Sequence, residues 1–218
     1  MKPKRSDGKA TKAKLLDIAL EKFAKKGRDG VGIRELAREG EVSLNTVMYH
    51  FESKENLYRE VVTYSLERGL NYQELFDIHS KIDFSDRQAV SDAMFGIIRT
   101  LFLETAREEF IPQSDLIVQT VFGRDSILHR TLLEGFMIFE NGMLAFLKRA
   151  GIEMAREKAV FCHTLMWSQL LYYVSARDMA KLDLGLEELP PDFYEHIAWK
   201  VTRACCREVG LPDPSPLN

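Results

Sequence analysis

The sequence has 218 residues, 45% of them hydrophobic, which is enough to bury a sizeable core and excludes an intrinsically disordered chain. Its formal net charge is −3, but residues 1–60 hold 14 Lys and Arg against 10 Asp and Glu, and the remainder holds 16 against 23. A basic N-terminal segment on an acidic remainder favours contact with phosphates, although ordinary solvated surfaces of unequal charge would give the same counts.

Segments for targeting or membrane insertion are not predicted. Residues 1–14 are charged and contain no apolar stretch of the kind that a signal peptide needs. The longest apolar run, residues 159–174, includes polar side chains and is shorter than the roughly 20 residues of a membrane span. Cys162, Cys205 and Cys206 form neither a disulfide framework nor a CxxC pair, so the sequence predicts a cytoplasmic protein without membrane contact.

The chain begins with a basic arm, residues 1–8, that has no helical periodicity. This arm is predicted either to lie along DNA, on phosphates or in a minor groove, or to be a solvated tail. A first helix is predicted over residues 10–26, with an apolar stripe that runs from Leu15 to Phe23. Gly27 follows this helix at the position where a left-handed C-cap is favoured.

Two short helices joined by a tight turn are predicted next. The first covers residues 33–39, residues 40–42 form the turn, and Ser43 stands at the N-cap of the second helix, residues 44–50. Four side chains are left on the outer face of this second helix: Leu44, Asn45, Met48 and Tyr49. Such a face suits the DNA major groove, so the pattern predicts a helix-turn-helix motif, although a plain two-helix hairpin has the same pattern.

The ordered series of motifs TKAKLLDIALEKFAKKG, IRELA and VSLNTVMYHFESKENLY, between residues 11 and 58, resembles the TetR family of bacterial transcriptional regulators. The resemblance implies an all-α chain, with a basic arm and helix-turn-helix domain over residues 1–53 and a ligand-binding and dimerisation domain over residues 54–218. Two residues depart from the family pattern. Gly32 lacks the usual hydroxyl, and Glu41 replaces a turn glycine, so either slight strain from a left-handed residue, at a cost of about 1 kcal/mol, or a shifted turn is expected there.

The same resemblance implies roles in binding double-stranded DNA for nine residues: Arg34, Ser43, Leu44, Asn45, Thr46, Met48, Tyr49, His50 and Lys54. Leu44, Asn45 and Met48 match positions that face bases, whereas Thr46, Tyr49, His50 and Lys54 match positions that hold phosphates. Arg34 matches a position that contacts a phosphate or a guanine edge. Packing within the protein is the alternative role for Leu44, Met48 and Tyr49.

Beyond this motif the periodicity predicts only helices, over residues 54–78, 86–109, 112–122, 126–150, 154–182 and 192–209. Asp192 and Glu195 have the spacing of a capping box at the start of the last one. Residues 107–115 and 168–177 also resemble the body of CecR-type members of the family.

In the family, a small molecule bound in the body shifts the helices that position the DNA-binding domains, so DNA and ligand weaken each other's binding. An apolar or aromatic effector is predicted, because large apolar side chains dominate the middle helices. The predicted lining residues are Phe95, Phe102, Phe136, Met137, Met166 and Trp167, each of which is also a candidate for ordinary core packing.

Motifs of enzymes and cofactor sites do not occur in the sequence: it has no Walker loop, GxGxxG, HExxH, GxSxG or ExxH pair. The sequence therefore predicts neither an enzyme nor a cofactor. Cys162 and His163 are adjacent, as are Cys205 and Cys206, and adjacent helical residues diverge by about 100°, which disfavours shared metal binding. Buried packing is the favoured role of the thiols, and thiol sensing is the alternative.

A homodimeric repressor that binds an inverted-repeat operator is the function that the resemblance favours. The apolar residues 160–174 and a stripe on the last helix are predicted to form the dimer interface, so a charge at Leu170 or Val201 should disrupt it. The stripe comprises Phe193, Ile197, Val201, Ala204 and Cys205. The alternatives are an activator, a thiol-sensing regulator, or a small-molecule-binding or enzymatic helical protein that no longer binds DNA.

Overall fold

Helices make up every regular element between residues 5 and 217, which are the residues that this computed structural model describes. The helices are α1 (Arg5–Lys26), α2 (Ile33–Glu39), α3 (Leu44–Phe51), α4 (Lys54–Glu67), α5 (Tyr72–His79), α6 (Arg87–Thr105), α7 (Ile111–Val121), α8 (Ser126–Arg149), α9 (Arg156–Ser175), α10 (Arg177–Leu184) and α11 (Phe193–Glu208). A 3-10 turn, Glu108–Phe110, precedes α7. The predicted all-α fold is confirmed, and no helix in this part is long and apolar enough to cross a membrane.

These helices form two compact units. The first unit contains the described residues up to Gly69 together with Pro112–Leu133, which include α1 to α4 and nearly all of α7. The second unit contains Leu70–Ile111 and the described residues from Glu134 onward, with α5, α6, most of α8, and α9 to α11. The domain boundary expected after residue 53 stays a prediction.

The core of the first unit is built from apolar side chains of α1 to α4. Phe23, Phe51 and Val61 are fully buried, and the Tyr58 ring packs edge-on against Phe23 at 5.0 Å between centroids. Tyr58 also exchanges a hydrogen bond of 3.2 Å with the Thr120 hydroxyl of α7, which ties that helix to α4. The three helices of the motif are therefore packed on a common apolar centre.

The first helix begins earlier than predicted. It starts at Arg5 rather than at residue 10, so it includes part of the segment expected to be an arm. Gly8 costs a helix about 1 kcal/mol relative to alanine, a penalty that this helix tolerates. Residues 1–4 of the predicted arm lie outside the described residues.

The helix predicted over residues 54–78 is wrong, because the chain breaks between α4 and α5. α4 ends at Glu67, Gly69 follows, and the Asn71 side chain caps α5 by accepting a hydrogen bond from the Glu74 amide at 3.2 Å. A glycine is a poor helix former and an asparagine is a good N-cap, so the local sequence favours this break.

The helix predicted over residues 154–182 also breaks, at Ala176 between α9 and α10. The Tyr194 hydroxyl of α11 donates a hydrogen bond of 3.0 Å to the Tyr173 carbonyl in the last turn of α9. Arg177 donates a second one, of 3.3 Å, to the Val174 carbonyl. The carbonyls at this helix end are thus satisfied by side chains, partly from a distant helix.

The predicted capping box at the start of α11 is wrong as well. The Asp192 side chain accepts no hydrogen bond from the helix amides and instead lies 3.2 Å from Nδ1 of His196. Glu195 accepts a hydrogen bond from Nε of Arg99 at 2.5 Å, so an ion pair with α6 holds it away from the cap. A tertiary contact has replaced the local one.

The core of the second unit contains residues that the sequence pattern places at the dimer interface. Leu170 is 0% exposed and Val201 is 4% exposed, and both pack in one apolar cluster with Ile97 and Phe102 of α6. Cys205 is buried in the same cluster. The expectation that a charge at Leu170 or Val201 would act on the dimer is therefore wrong, because these side chains stabilise the single chain.

Candidate functional site

The turn between α2 and α3 contains a backbone hydrogen bond and a left-handed residue. The Val42 amide donates to the Ala37 carbonyl at 2.9 Å, and Glu41 between them has φ 57°, in the left-handed region. The prediction of a strained residue at Glu41 is confirmed. Gly40 is favoured for another reason: a Cβ there would lie 2.7 Å from a methyl group of Leu15 and 3.2 Å from the Leu36 carbonyl oxygen, so the Leu15 side chain of α1 would have to shift.

The start of α3 is capped as predicted. Oγ of Ser43 accepts a hydrogen bond from the Thr46 amide at 3.1 Å, and the two hydroxyls lie 2.9 Å apart. Val47 and Phe51 are buried against the neighbouring helices, which fixes the rotation of α3 about its axis. The orientation of its other face follows from these two residues.

The outer face of α3 is solvent-exposed. Tyr49 is 83% exposed, Met48 is 40% and Leu44 is 39%, and Asn45 is exposed between them. These four side chains lie together on one face, so packing within this chain does not account for them. Large apolar side chains on a short, firmly held helix are a typical feature of a binding surface.

The residues expected to contact phosphates are placed around this face. Arg34 is exposed on α2, and His50 is half-buried with its ring 5.3 Å from that of Tyr49. Lys54, at the start of α4, donates to the Asp29 carbonyl at 3.4 Å, which leaves its other two ammonium hydrogens available. The nine predicted residues therefore occupy α2, α3 with its N-cap, and the first residue of α4.

The positive charge of the first unit is partly neutralised inside that unit. Lys22 lies 2.5 Å from a Glu39 carboxylate oxygen, and Lys26 lies 2.7 Å from one of Glu35, which joins α1 to α2. The hydrogen bond from Lys26 is the main cause of the lowered pKa of Glu35. Each such pair removes one positive and one negative charge, so the excess of 14 basic over 10 acidic residues in residues 1–60 is unchanged by this pairing.

Residues 15–61 match the family model described as bacterial regulatory proteins, tetR family. This segment, which contains α2 and α3, is therefore similar to the DNA-binding part of that family. A TetR-family transcriptional regulator from Mesorhizobium loti MAFF303099 has a similar fold, with 19% identity, coverage of 94% of this chain and 98% of that one, and a TM-score of 0.69.

Two further solved structures share the fold of this chain. A transcriptional regulator from Rhodococcus sp. Rha1 is 18% identical, covers 96% of this chain and 99% of its own, and has a TM-score of 0.63. FadR from Bacillus subtilis, solved in complex with stearoyl-CoA, is 12% identical, with 90% and 98% coverage and a TM-score of 0.63. The search of curated proteins found no match. The chain thus has the fold of a TetR-family transcriptional regulator, and its CecR-like assignment stays a prediction.

The second unit of the chain contains a small apolar pocket. Residues of α6, α8, α9 and α11 line it, and its volume is about 40 Å³. Four methionines contribute to the lining: Met94, Met143, Met154 and Met166. Ligand pockets usually measure about 300–1,000 Å³, so a larger ligand would have to displace these flexible side chains.

Of the residues predicted to bind a ligand, the structure places Met166 in this pocket. Phe102 is fully buried in the core, and Phe95 and Met137 are half-buried outside the lining. Phe136 and Trp167 stack on each other with centroids 4.5 Å apart, next to the pocket residue His163. The prediction grouped residues by helical stripe, and a stripe indicates burial without indicating which side faces a cavity.

The polar residues of the pocket were missed by sequence reasoning. Glu140 is 7% exposed, forms an ion pair with Arg156, and has Nδ1 of His163 at 3.1 Å in a geometry that falls short of a hydrogen bond. Burial lowers the pKa of His163, and the nearby Glu140 carboxylate opposes that effect. A glutamate inside the otherwise apolar stretch of α8 is the one signal in the sequence that could have indicated this site.

Metal and thiol chemistry depend on which side chains the fold brings together. Among residues 5–217, no group of three or more His, Cys, Asp and Glu side chains could hold a metal ion. Cys162 and Cys205 both line the pocket, whereas Cys206 is buried elsewhere in the core. The adjacent cysteines therefore differ in environment, as the 100° rule for neighbouring helical residues requires.

Proposed function

We propose that this chain is a ligand-responsive transcriptional repressor that binds an inverted-repeat operator as a homodimer. The observation that carries the proposal is the exposed outer face of α3, where Leu44, Asn45, Met48 and Tyr49 lie together on a helix fixed by buried side chains. Apolar side chains suit thymine methyl groups, and an asparagine amide can pair with adenine. DNA contact would account for the exposure of this face. The same proposal implies that the protein acts in the cytoplasm, where the chromosome lies.

The positions around α3 support phosphate contact in this proposal. Five residues carry donors that suit phosphate oxygens: Arg34, Thr46, Tyr49, His50 and Lys54. Ser43 caps the helix start and would orient it toward the phosphates. Selection of bound sequences from random duplex DNA tests the proposal directly. The expected result is an inverted repeat whose affinity falls steeply with salt. Weak binding without any sequence preference would contradict it and favour the alternative of a protein that has lost DNA binding.

The proposed effector is an apolar molecule with one polar group. The pocket in the second unit supports an apolar body, and the buried Glu140 and His163 offer a polar end for it to meet. FadR, with a similar fold, was solved with stearoyl-CoA, which carries a long apolar chain. A screen of apolar metabolites for release of operator DNA tests this part, and the decrease in operator affinity must be matched by an equal decrease in effector affinity on DNA.

Dimerisation is proposed through the exposed side of α9. Phe161 is 49% and Tyr172 is 51% exposed, and Thr164 and Ser168 lie between them at helical spacing. An aromatic stripe of this kind is suited to a twofold-related copy. Phe161→Asp should convert a dimer to a monomer in sedimentation, whereas Phe122→Asp, at a residue of the first unit that is 83% exposed, should not. A monomeric parent protein would contradict the proposal.

A further inference from the structure

The wall of the pocket contains two cysteines from different helices. Cys162 belongs to α9 and Cys205 to α11, 43 residues apart in sequence, and both line the same pocket. Each of these thiols is the largest influence on the pKa of the other, so the two side chains lie close together in the pocket wall. Cys206 is next to Ser91 in the core and is not part of the lining.

The two thiols differ in acidity and exposure. Interaction with the Cys205 thiol lowers the pKa of Cys162, with support from Lys158 and opposition from burial and Glu208. The same interaction and burial raise the pKa of Cys205, which keeps that thiol protonated. Cys162 is half-buried, whereas Cys205 is buried. A redox-sensing pair has this arrangement: one thiol is the more acidic and the more accessible of the two, and its neighbour stays protonated.

We propose that Cys162 and Cys205 are an oxidation site that closes to a disulfide when a hydroperoxide enters the pocket. The Cys162 thiolate attacks the terminal peroxide oxygen and the O–O bond breaks, which gives a sulfenic acid on Cys162; the other oxygen leaves after protonation as an alcohol, or as water when the oxidant is hydrogen peroxide. The Cys205 sulfur then attacks the Cys162 sulfur and loses its proton, and the sulfenic hydroxyl leaves as water. Two thiols lose two electrons in total, and one hydroperoxide is reduced by the same two.

The disulfide would join two walls of the pocket, α9 and α11. A bonded sulfur pair is about 2.05 Å apart, closer than two sulfurs in van der Waals contact, so the cross-link narrows the pocket at this point. This consequence rests on the function proposed above, because it matters for regulation only if the pocket binds an effector. The cross-link itself does not depend on DNA or effector binding.

Mass spectrometry of the full chain after treatment with hydrogen peroxide tests the proposal. The expected product has two hydrogens fewer than the reduced chain, and two of its three thiols no longer react with an alkylating reagent until dithiothreitol restores them. Trypsin leaves Cys205 and Cys206 in one peptide, residues 204–207, so the bond is mapped in Cys206→Ala. That variant should still form the cross-link between peptides 159–177 and 204–207.

Cys205→Ala is the second variant. It should form no cross-link, and Cys162 should alkylate more slowly at neutral pH because the Cys205 thiol that lowers its pKa is gone. Tryptophan fluorescence of the reduced variants checks that they are folded. A bond from Cys162 to Cys206, a bond between two chains, or oxidation of Cys162 to the sulfinic acid with Cys205 still reduced would overturn the proposal. A failure of operator binding, by contrast, would overturn the proposed function and leave the mapped cross-link unaffected.

Discussion

The recognition helix α3 and the pocket of the second unit are two candidate binding sites that the chain builds in different ways. The surroundings of α3 come from one stretch of chain: Ser43 caps it, Gly40 lets α1 approach, and Lys54 follows directly. The pocket takes lining residues from Met94 to Cys205, on four helices and one loop. The first site is built from residues that are close in sequence, and it is exposed. The second is built from residues that are distant in sequence, and its lining is largely buried.

This difference has a physical consequence for each site. The exposed face of α3 can change its side chains with little effect on folding, because those side chains contact solvent. The pocket residues are also core residues, since Met94 and Phe139 belong to the main apolar cluster of the second unit. Changes in the pocket therefore alter stability and ligand binding together, whereas changes on α3 separate the two.

The largest expected effect is on the second unit. Leu170→Asp places a charge at a fully buried position and should cost roughly 4–5 kcal/mol or more of the free energy of unfolding. Both tryptophans, Trp167 and Trp199, lie in this unit, so urea unfolding followed by tryptophan fluorescence measures it specifically. Leu182→Asp, the same substitution at a residue of α10 in the same unit that is 76% exposed, is the matched control. Equal unfolding midpoints in the two variants would show that Leu170 is not a core residue.

A smaller but still large effect is expected from Val47→Asp in the first unit. The buried charge should cost about 3–5 kcal/mol locally and abolish binding to every duplex sequence, because α3 loses its anchor. Tryptophan fluorescence should report the second unit as folded in this variant. Thr63→Asp adds the same charge on the exposed side of α4 and should keep DNA binding. If Val47→Asp also shifted the fluorescence transition, the two units would not be separable.

Substitutions on the outer face of α3 sharpen the comparison further. Asn45→Ala and Met48→Ala should change which sequences are preferred, by about 1–3 kcal/mol for each interaction with a base that the substitution removes, with no change in unfolding. Binding measured on the selected operator and on single-base variants of it gives this result. A uniform decrease in affinity across all these duplexes would place Asn45 and Met48 on phosphates instead.

Lys54→Ala should have the opposite signature. Because the ammonium is expected to hold a phosphate, binding to all duplexes should weaken alike, and the salt dependence should fall by the equivalent of about one phosphate. The variant also removes the hydrogen bond to the Asp29 carbonyl, so its helix content is compared with that of the parent. An altered base preference would contradict the assignment of Lys54.

The smallest effect is a decrease in the stability of the second unit in mild acid. Burial lowers the pKa of His163 and of His79 in the folded chain, so below the unfolded value of about 6.5 the unfolded chain binds protons more readily. The stability present above this pH should therefore decline as pH falls toward the folded pKa values. His163→Gln should reduce the change in the unfolding midpoint, followed by tryptophan fluorescence, between pH 7.5 and about 5.5. His129→Gln, at an exposed residue of the first unit, should leave it unchanged.

The sequence predicted the motif well because its determinants are local. The Ser43 cap, the strained Glu41 and the bounds of α2 follow from neighbours within a few residues. The break at Ala176 could not be predicted, since a tyrosine of α11 stabilises it. The capping box at Asp192 failed for the same reason, because Arg99 of α6 takes Glu195.

The pocket shows the same limit in another form. Helical periodicity correctly indicated that Phe102 and Trp167 would be buried, but it cannot distinguish a closely packed neighbour from a cavity wall. Glu140 and His163 face each other only after α8 and α9 have packed. The polar part of this site thus forms only in the tertiary structure, and no residue spacing in the sequence predicts it.

The methionines of this chain give it a set of built-in spectroscopic probes. Four of its eight methionines line the pocket, and Met48 stands on the exposed face of α3. Isotope labelling of methionine methyl groups would therefore give separate NMR resonances for both candidate sites in one sample. Titration with DNA and then with a small molecule would show whether occupancy of one site shifts the resonances of the other.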